Sequence, residues 1–228
     1  MHQSAEHVQA VAVIPARGGS KSIERKNLAM VGGRSLLHRS IAAASEAAAV
    51  GTVVVSTDDS EIAEEAKRYG ATVVERPANL ASDSSRSIEA VLHVITEMNL
   101  DERTVVAMLQ ATSPFTTGID VDAAIGLLST GSVVSVTRAE HHPFKSCIVV
   151  DGQLAPVAEV PDLEAPRQLL PVAVRPNGAI YVARVGALAA ARRFFIEPVL
   201  PYTMGAAASL DVDTQADLDL ANSLVTDD

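Results

Sequence analysis

VAVIPARGGSKSIERKN, residues 11–27, opens on a short apolar run, Val11–Ile14, and breaks at Pro15. It then becomes a glycine-bearing loop with Arg17, Lys21, Arg25 and Lys26 interrupted by a single acid, Glu24. The opening run suits a strand buried on both faces, as parallel sheets require. A helix-compatible segment, Ser35 to Ala49, follows the loop. Permissive backbone brings N–H groups close to an anion, and cationic side chains add stronger hydrogen bonds, so the loop suits a polyphosphate. It is neither GxxxxGK[ST] nor GxGxxG, which sets aside a P-loop and a dinucleotide-binding oxidoreductase.

The same alternation continues outward. Val53–Ser56 is a second apolar run, followed by a helix that Asp58 can cap, with acids in its first turn and Lys67, Arg68 and Gly70 at its end. Thr72–Glu75 fits a third strand. Ile88, Val91, Leu92 and Ile95 recur at helical spacing. Val105–Leu109, a turn at Ser113-Pro114, a helix near Val121–Leu128 and a strand at Ser132–Thr137 complete the series. Strands alternating with helices predict an α/β fold with a mainly parallel, doubly wound sheet over 1–139 and 185–228. Between them, 140–184 is proline-rich and lacks a helical period, with hairpin signals at Asp151-Gly152 and Asn177-Gly178. That segment reads as a small antiparallel insertion, an arm that packs on another subunit. Beyond it come a helix over Gly186–Ala191, a strand at Ser209–Val212 and a last helix from about Thr214 to Val225.

Composition narrows the partners. The formal net charge is −10, which disfavours nucleic acid and anionic membranes, and aromatic residues make up only 3%, too few for base-stacking platforms. Against that acidic background, Arg17 to Arg39 holds six of the 18 Lys and Arg residues, a local anion site. Cys147 is alone, which excludes an intrachain disulfide and reads as a small buried residue. There is no apolar signal core and no run of about 20 apolar residues, so the expected location is the cytoplasm, with no membrane partner. His141 and His142 point to opposite faces of a strand and read as structural.

Ligands of open α/β sheets sit beyond the carboxyl ends of the strands, and polar clusters recur at such places. They are Arg17–Asn27, Glu75-Arg76-Pro77 leading to Asp83–Ser87, Gln110–Pro114, and Asp211-Val212-Asp213. In an extended LDVD, Asp211 and Asp213 share a face and could hold Mg2+ with phosphate and water oxygens. Alternatively Asp213 caps the helix starting at Thr214, with Thr214 and Asp217 forming a capping-box-like pair. Spacing leaves both readings open. Phe194 and Phe195 cannot both face inward on a simple alternating strand, so one of them can line a pocket.

Taken in order, ARGGSK…RKN, RPANLASDSSRS, LQATSP, EHHPFK, EAPRQLLPVAVRPNGAIY and SLDVDT resemble the CMP-N-acylneuraminate (CMP-sialic acid) synthetases, the acylneuraminate cytidylyltransferases, from about Val11 to Ala221. The resemblance implies a Rossmann-like nucleotidyltransferase that joins CTP to a nine-carbon 2-keto sugar acid, giving a CMP-sugar and pyrophosphate, with Mg2+ or Mn2+. It implies that Arg17, Lys21 and Lys26 neutralise the triphosphate. Gly18, Asn27, Arg76, Asp83 and Ser87 would complete the nucleotide side. Gln110, Asn177, Tyr181, Phe194 and Phe195 would serve the sugar. Asp211 and Asp213 would hold the metal, with Asp211 also the candidate base. It further implies a homodimer with shared sites, in which Lys145, Arg167, Gln168 and Arg175 reach the partner's sugar carboxylate. N-acetylneuraminic acid is the expected sugar; legionaminic, pseudaminic and deaminated neuraminic acids are alternatives, and so is a weakly active nucleotide-sugar binding protein. Two positions depart from the family loop. Ser22 and Glu24 stand where glycine and proline are usual, and Glu24 would repel a triphosphate unless it points away or pairs with Arg25 or Arg39.

Overall fold

The computed structural model describes residues 9–20, 22–82 and 84–225. Eleven strands and seven α-helices appear among them. In chain order the strands are β1 (Ala10–Pro15), β2 (Met30–Val31), β3 (Arg34–Ser35), β4 (Val50–Thr57), β5 (Thr72–Glu75), β6 (Val105–Leu109), β7 (Ser132–Arg138), β8 (Cys147–Val150), β9 (Gln153–Pro156), β10 (Val174–Arg184) and β11 (Val199–Thr203). The helices are α1 (Leu36–Glu46), α2 (Ser60–Arg68), α3 (Ser87–Glu97), α4 (Gly118–Gly126), α5 (Val160–Glu164), α6 (Val185–Ala191) and α7 (Gln215–Leu224).

Seven strands form one sheet in the order β11-β7-β10-β6-β1-β4-β5, and only β10 runs antiparallel to its neighbours. Residues of α1, α2 and α4, such as Leu37, Ile62 and Val121, pack on one face, while Ile88, Val91 and Val94 of α3 and Leu188 of α6 pack on the other. The doubly wound sheet is therefore present. The order in which strands are added reverses at β1, with β4 and β5 to one side and β6 to the other, all parallel to it. A crevice opens at such a switch point, beyond the strand ends.

A third apolar cluster sits apart from the sheet. Ile23, Val31, Leu36, Val212 and Ala221 bury one another, so residues of the cation loop, the β2–β3 hairpin, α7 and the aspartate segment share one small core.

Four expectations change. Val174–Arg184, assigned to the insertion, is the antiparallel strand of the central sheet, and the part of the insertion outside the sheet ends before it. Asn177-Gly178 is not a hairpin turn: the β10–β7 register shifts between Pro176 and Tyr181, and Gly178, with φ +84°, lies within that irregularity. Ser209–Val212 is a short 3-10 turn, Ala207–Ser209, leading into extended chain; the sheet's edge strand is instead β11. Asp151-Gly152 does form the β8–β9 turn, with φ values of 50° and 75°. Cys147 is exposed rather than buried, because the β8–β9 pair lies outside the main sheet. No helix among the described residues is long and apolar enough to cross a membrane.

Candidate active site

The switch-point crevice has a volume of about 360 Å³. Arg17 and Lys26 line it from the first loop, Arg76 from the end of β5, Ser87 from the start of α3, and Gln110 and Thr112 from the turn after β6. Four separate chain segments thus converge on one cleft.

Its cations are held in different ways. Arg76 is only 6% exposed; its Nε donates to Ser56 Oγ at 3.1 Å and Nη2 donates to the Ser56 carbonyl at 2.5 Å. It forms no ion pair among the described residues. Burial lowers its pKa, with Asp58 opposing and Arg17 adding to the shift. A buried guanidinium without a carboxylate is costly, and an anion in the cleft relieves that cost. Asn27 Nδ2 donates to the Arg17 carbonyl at 2.9 Å and so fixes the loop that carries Arg17. The Gly18 N–H donates to Asp58 Oδ1 at 3.0 Å, and a Cβ there would meet Asp59 Oδ2 at 2.6 Å. Gly18 is required for this close approach, and its amide is already engaged within the protein.

Lys26 joins the cleft to the aspartate segment, its Nζ lying 2.8 Å from Asp213 Oδ1. Val212 is buried between the two acids, so the side-chain alternation expected of LDVD is present. Thr112 Oγ1 donates to Asp211 Oδ1 at 2.5 Å, and the Val212 N–H donates to the Thr112 carbonyl at 2.9 Å. Burial raises the Asp211 pKa, the Thr112 hydrogen bond opposes this, and Asp213 adds to it. Thr214, not Asp213, is the N-cap, and the expected capping box of Thr214 with Asp217 is present. That frees the Asp213 carboxylate from the capping role.

A second pocket of about 310 Å³ adjoins the cleft. Arg86, Ser87 and Gln110 line both cavities, and Tyr181, Phe194 and Arg193 belong to the second alone. Tyr181 and Phe194 lie with ring centroids 4.8 Å apart. Burial raises the Tyr181 pKa, and Asp211 contributes to the same shift. Gln110 is the hinge between the two cavities: its Nε2 donates to Thr112 Oγ1 at 2.8 Å, and its amide packs on Gly178, where a Cβ would meet Oε1 at 3.1 Å.

Comparison with known proteins now bears on the site. Residues 11–148 match the sequence profile of a family described as Cytidylyltransferase. The chain is 33% identical over 227 residues to the CMP-N,N'-diacetyllegionaminic acid synthase of Legionella pneumophila, covering 96% of this chain and 97% of that protein. This chain belongs to the cytidylyltransferase family. The cytidylyltransferase is also 33% identical over 215 residues to the N-acylneuraminate cytidylyltransferase of Escherichia coli O18:K1:H7, covering 92% of this chain and 51% of that protein. It thus spans about half the length of that relative. Among solved structures, CMP:2-keto-3-deoxy-manno-octonic acid synthetase complexed with CTP superposes with a TM-score of 0.71 at 18% identity, covering 95% of this chain and 98% of that one. That likeness is one of fold.

Within the cytidylyltransferase, Arg17, Lys26, Asn27, Arg76, Ser87 and Gln110 meet at the cleft, and Tyr181 and Phe194 meet at the adjoining pocket. Lys21 and Asp83 lie outside the described residues. Phe195 does not line the pocket; it is 47% exposed, with its ring 6.2 Å from Tyr181 and edge-on to it. Asn177 is also not placed there. It is 5% exposed, accepting from Ser135 Oγ at 2.5 Å and donating to Ser209 Oγ at 2.9 Å, so its polar atoms tie the chain before Asp211 to the sheet. Arg167, Gln168 and Arg175 line a separate cavity of about 700 Å³ beside the arm, and Lys145 Nζ donates to the Leu163 carbonyl at 3.0 Å. Within one chain, none of these four lines the cleft. Glu24 is exposed and outside the cleft wall, and Arg25 pairs with Glu61 and Asp59 instead. Sequence reasoning passed over Thr112, Arg86 and Arg193; Thr112 and Arg86 lay inside LQATSP and RPANLASDSSRS, but nothing in those strings tells which side chain faces the crevice.

Proposed function

We propose that this cytidylyltransferase transfers CMP from CTP to a nine-carbon 2-keto sugar acid, with N-acetylneuraminic acid the leading acceptor. The observation that carries the reading is the junction at Gln110, where a cation-lined cleft meets a pocket with an aromatic wall. A triphosphate fits the first and a sugar ring fits the second, so the anomeric hydroxyl and the α-phosphorus would meet between them. Arg17, Lys26 and Arg76 bind the phosphates, and the amino end of α3 adds a favourable dipole. The hydroxyl oxygen forms a bond to the α-phosphorus while the bond to the β-phosphate breaks, and pyrophosphate carries away the electron pair. Positioning and electrostatic stabilisation dominate such transfers. The hydroxyl proton passes to Asp211 across one water.

Asp211 and Asp213 supply two oxygen donors, a partial set suited to Mg2+, which characteristically keeps waters and substrate phosphates among its ligands. Mn2+ accepts similar oxygen donors. We assign these two residues to that ion, whose charge would offset the charge developing on the phosphates. Lys26 now occupies Asp213, so nucleotide and metal would together divide that pair.

A second acceptor is favoured by one observation. The diacetyllegionaminic acid synthase matches this chain along nearly its whole length at the same identity as the acylneuraminate enzyme. Pyrophosphate release from CTP with a panel of nine-carbon sugar acids tests both readings. Turnover with N-acetylneuraminic acid supports the first, and turnover only with a diacetylated acid supports the second. Release with none of them would refute the assignment.

We also infer that the arm over 139–173 pairs with a second copy of the chain, which would bring Arg167, Gln168 and Arg175 to a shared site. Support comes from apolar side chains left exposed there, including Val149, Leu154, Leu169 and Val172.

A further inference from the structure

The aspartate segment is the least regularly built wall of the site. Asp211, Val212 and Asp213 belong to no helix and no strand, so neither a ladder nor a helical turn fixes the Asp211 carboxylate. Thr112 holds it at two points instead. The Thr112 carbonyl accepts from the Val212 N–H at 2.9 Å, and Thr112 Oγ1 donates to Asp211 Oδ1 at 2.5 Å. A hydroxyl has one proton to give. Gln110 Nε2, a donor only, gives to Thr112 Oγ1 at 2.8 Å, which leaves the threonine proton for the carboxylate. Gln110 is fixed in turn by the sheet and by α1. Its N–H donates to the Ala179 carbonyl of β10 at 3.1 Å, and its carbonyl accepts from Ser40 Oγ at 3.3 Å. Thr112 is buried, and its branched Cβ restricts χ1, so the hydroxyl keeps one direction. Among the described residues, Asp211 Oδ2 takes no hydrogen bond.

We propose that Thr112 is a positioning residue that commits Oδ1 of Asp211 to the protein and leaves Oδ2 as the donor to the divalent ion. This rests on the assignment of Asp211 to that ion above. A carboxylate whose plane is already fixed gives up no rotational freedom when it takes a cation, and hydrogen bonds to a ligating carboxylate orient it and tune its affinity. Gln110, at the junction of the two cavities, stands at the far end of the same relay. Removing the Thr112 hydroxyl therefore loosens the acid while Arg17, Lys26 and Arg76 stay in place for the phosphates.

The test uses the full chain with Thr112→Val, Thr112→Ser, Asp211→Asn and the double variant Thr112→Val/Asp211→Asn. Calorimetry measures binding of CTP in excess chelator and of CTP with saturating Mn2+, without sugar acid; the ratio of the two affinities is the gain due to the ion. In Thr112→Val that gain should shrink about tenfold or more. Binding of metal-free CTP should stay within about twofold, which also reports an intact cleft. The Mg2+ concentration for half-maximal pyrophosphate release should rise in parallel. Thr112→Ser should keep most of the gain, and in the Asp211→Asn background Thr112→Val should remove nothing further. If Thr112→Val loses metal-free CTP binding, Thr112→Ala takes its place. A hydroxyl-free variant with the full gain overturns the proposal, and so does an equal further loss in the Asp211→Asn background. A shrunken gain in a chain whose wild type releases no pyrophosphate with any sugar acid supports the positioning and sinks the transferase reading. A wild type that turns over but binds CTP equally with and without Mn2+ overturns the positioning and leaves the transferase reading standing.

Discussion

Lys26 and Arg76 show how differently two cations can serve one cleft. Lys26 is neutralised by Asp213 before any ligand arrives, so Lys26→Ala removes a phosphate ligand and also releases an acid into the site. Turnover should fall by about 10- to 100-fold, the range for one charge-assisted hydrogen bond; unchanged turnover under saturating CTP would remove Lys26 from the mechanism. Arg76 is buried without a carboxylate partner, so its charge costs stability until phosphate arrives. In Arg76→Met the melting temperature of the free protein should hold or rise, while the stabilisation gained on adding CTP should shrink markedly. Differential scanning fluorimetry with and without CTP reads both, and a variant that keeps the full CTP shift contradicts the role. At this scale the sequence was informative about residue type and order but not direction. Arg76 and Gln110 were legible as cleft residues and Tyr181 as a residue of the adjoining pocket. Asn177 was not legible as a buried network residue, because its partners Ser135 and Ser209 come from distant segments.

Among the elements, those with unbroken apolar periodicity were the legible ones. Thr72–Glu75 and Val105–Leu109 appear with the limits read from sequence, and the Thr214–Asp217 capping box is present as read. β11 escaped detection because Val199–Thr203 contains Pro201, which argues against a central strand but is tolerated at a sheet edge. β10 was misplaced because its glycine imitates a turn. The edge strand is tethered by Tyr202, whose hydroxyl donates to Asp120 Oδ1 of α4 at 2.8 Å. Burial, the hydrogen bond and the charge of Asp120 push its pKa from 10.0 up to about 12. A folded-state pKa raised above the unfolded value gives stability that is whole below about pH 10 and is lost as pH rises through about 12. Urea titrations of Tyr202→Phe should show less loss of stability over that window than the wild type. Equal alkaline slopes in the two proteins would count against the tether.

On the scale of the molecule, the doubly wound class was legible from strand–helix alternation, whereas the sheet order was not, since pairing of β10 between β6 and β7 depends on contacts distant in sequence. The arm carries a prediction of its own. Leu154→Asp combined with Val172→Asp places charge on exposed apolar positions outside the sheet, so the fold should persist. Sedimentation should show a shift from dimer to monomer, accompanied by a fall in sugar-dependent turnover. A dimeric double variant, or a monomeric wild type with full turnover, would dismiss the shared site.

The small cluster of Ile23, Val31, Leu36, Val212 and Ala221 has a consequence for the order of events during synthesis. Lys26 leaves the ribosome 187 residues before Asp213, and the core that holds their segments together needs Ala221 as well. A nascent chain can therefore pair β1 with β4 and β6 while the acidic half of its site is still untranslated. Catalytic competence waits for α7, so a chain interrupted before that helix would have much of the sheet but no working centre.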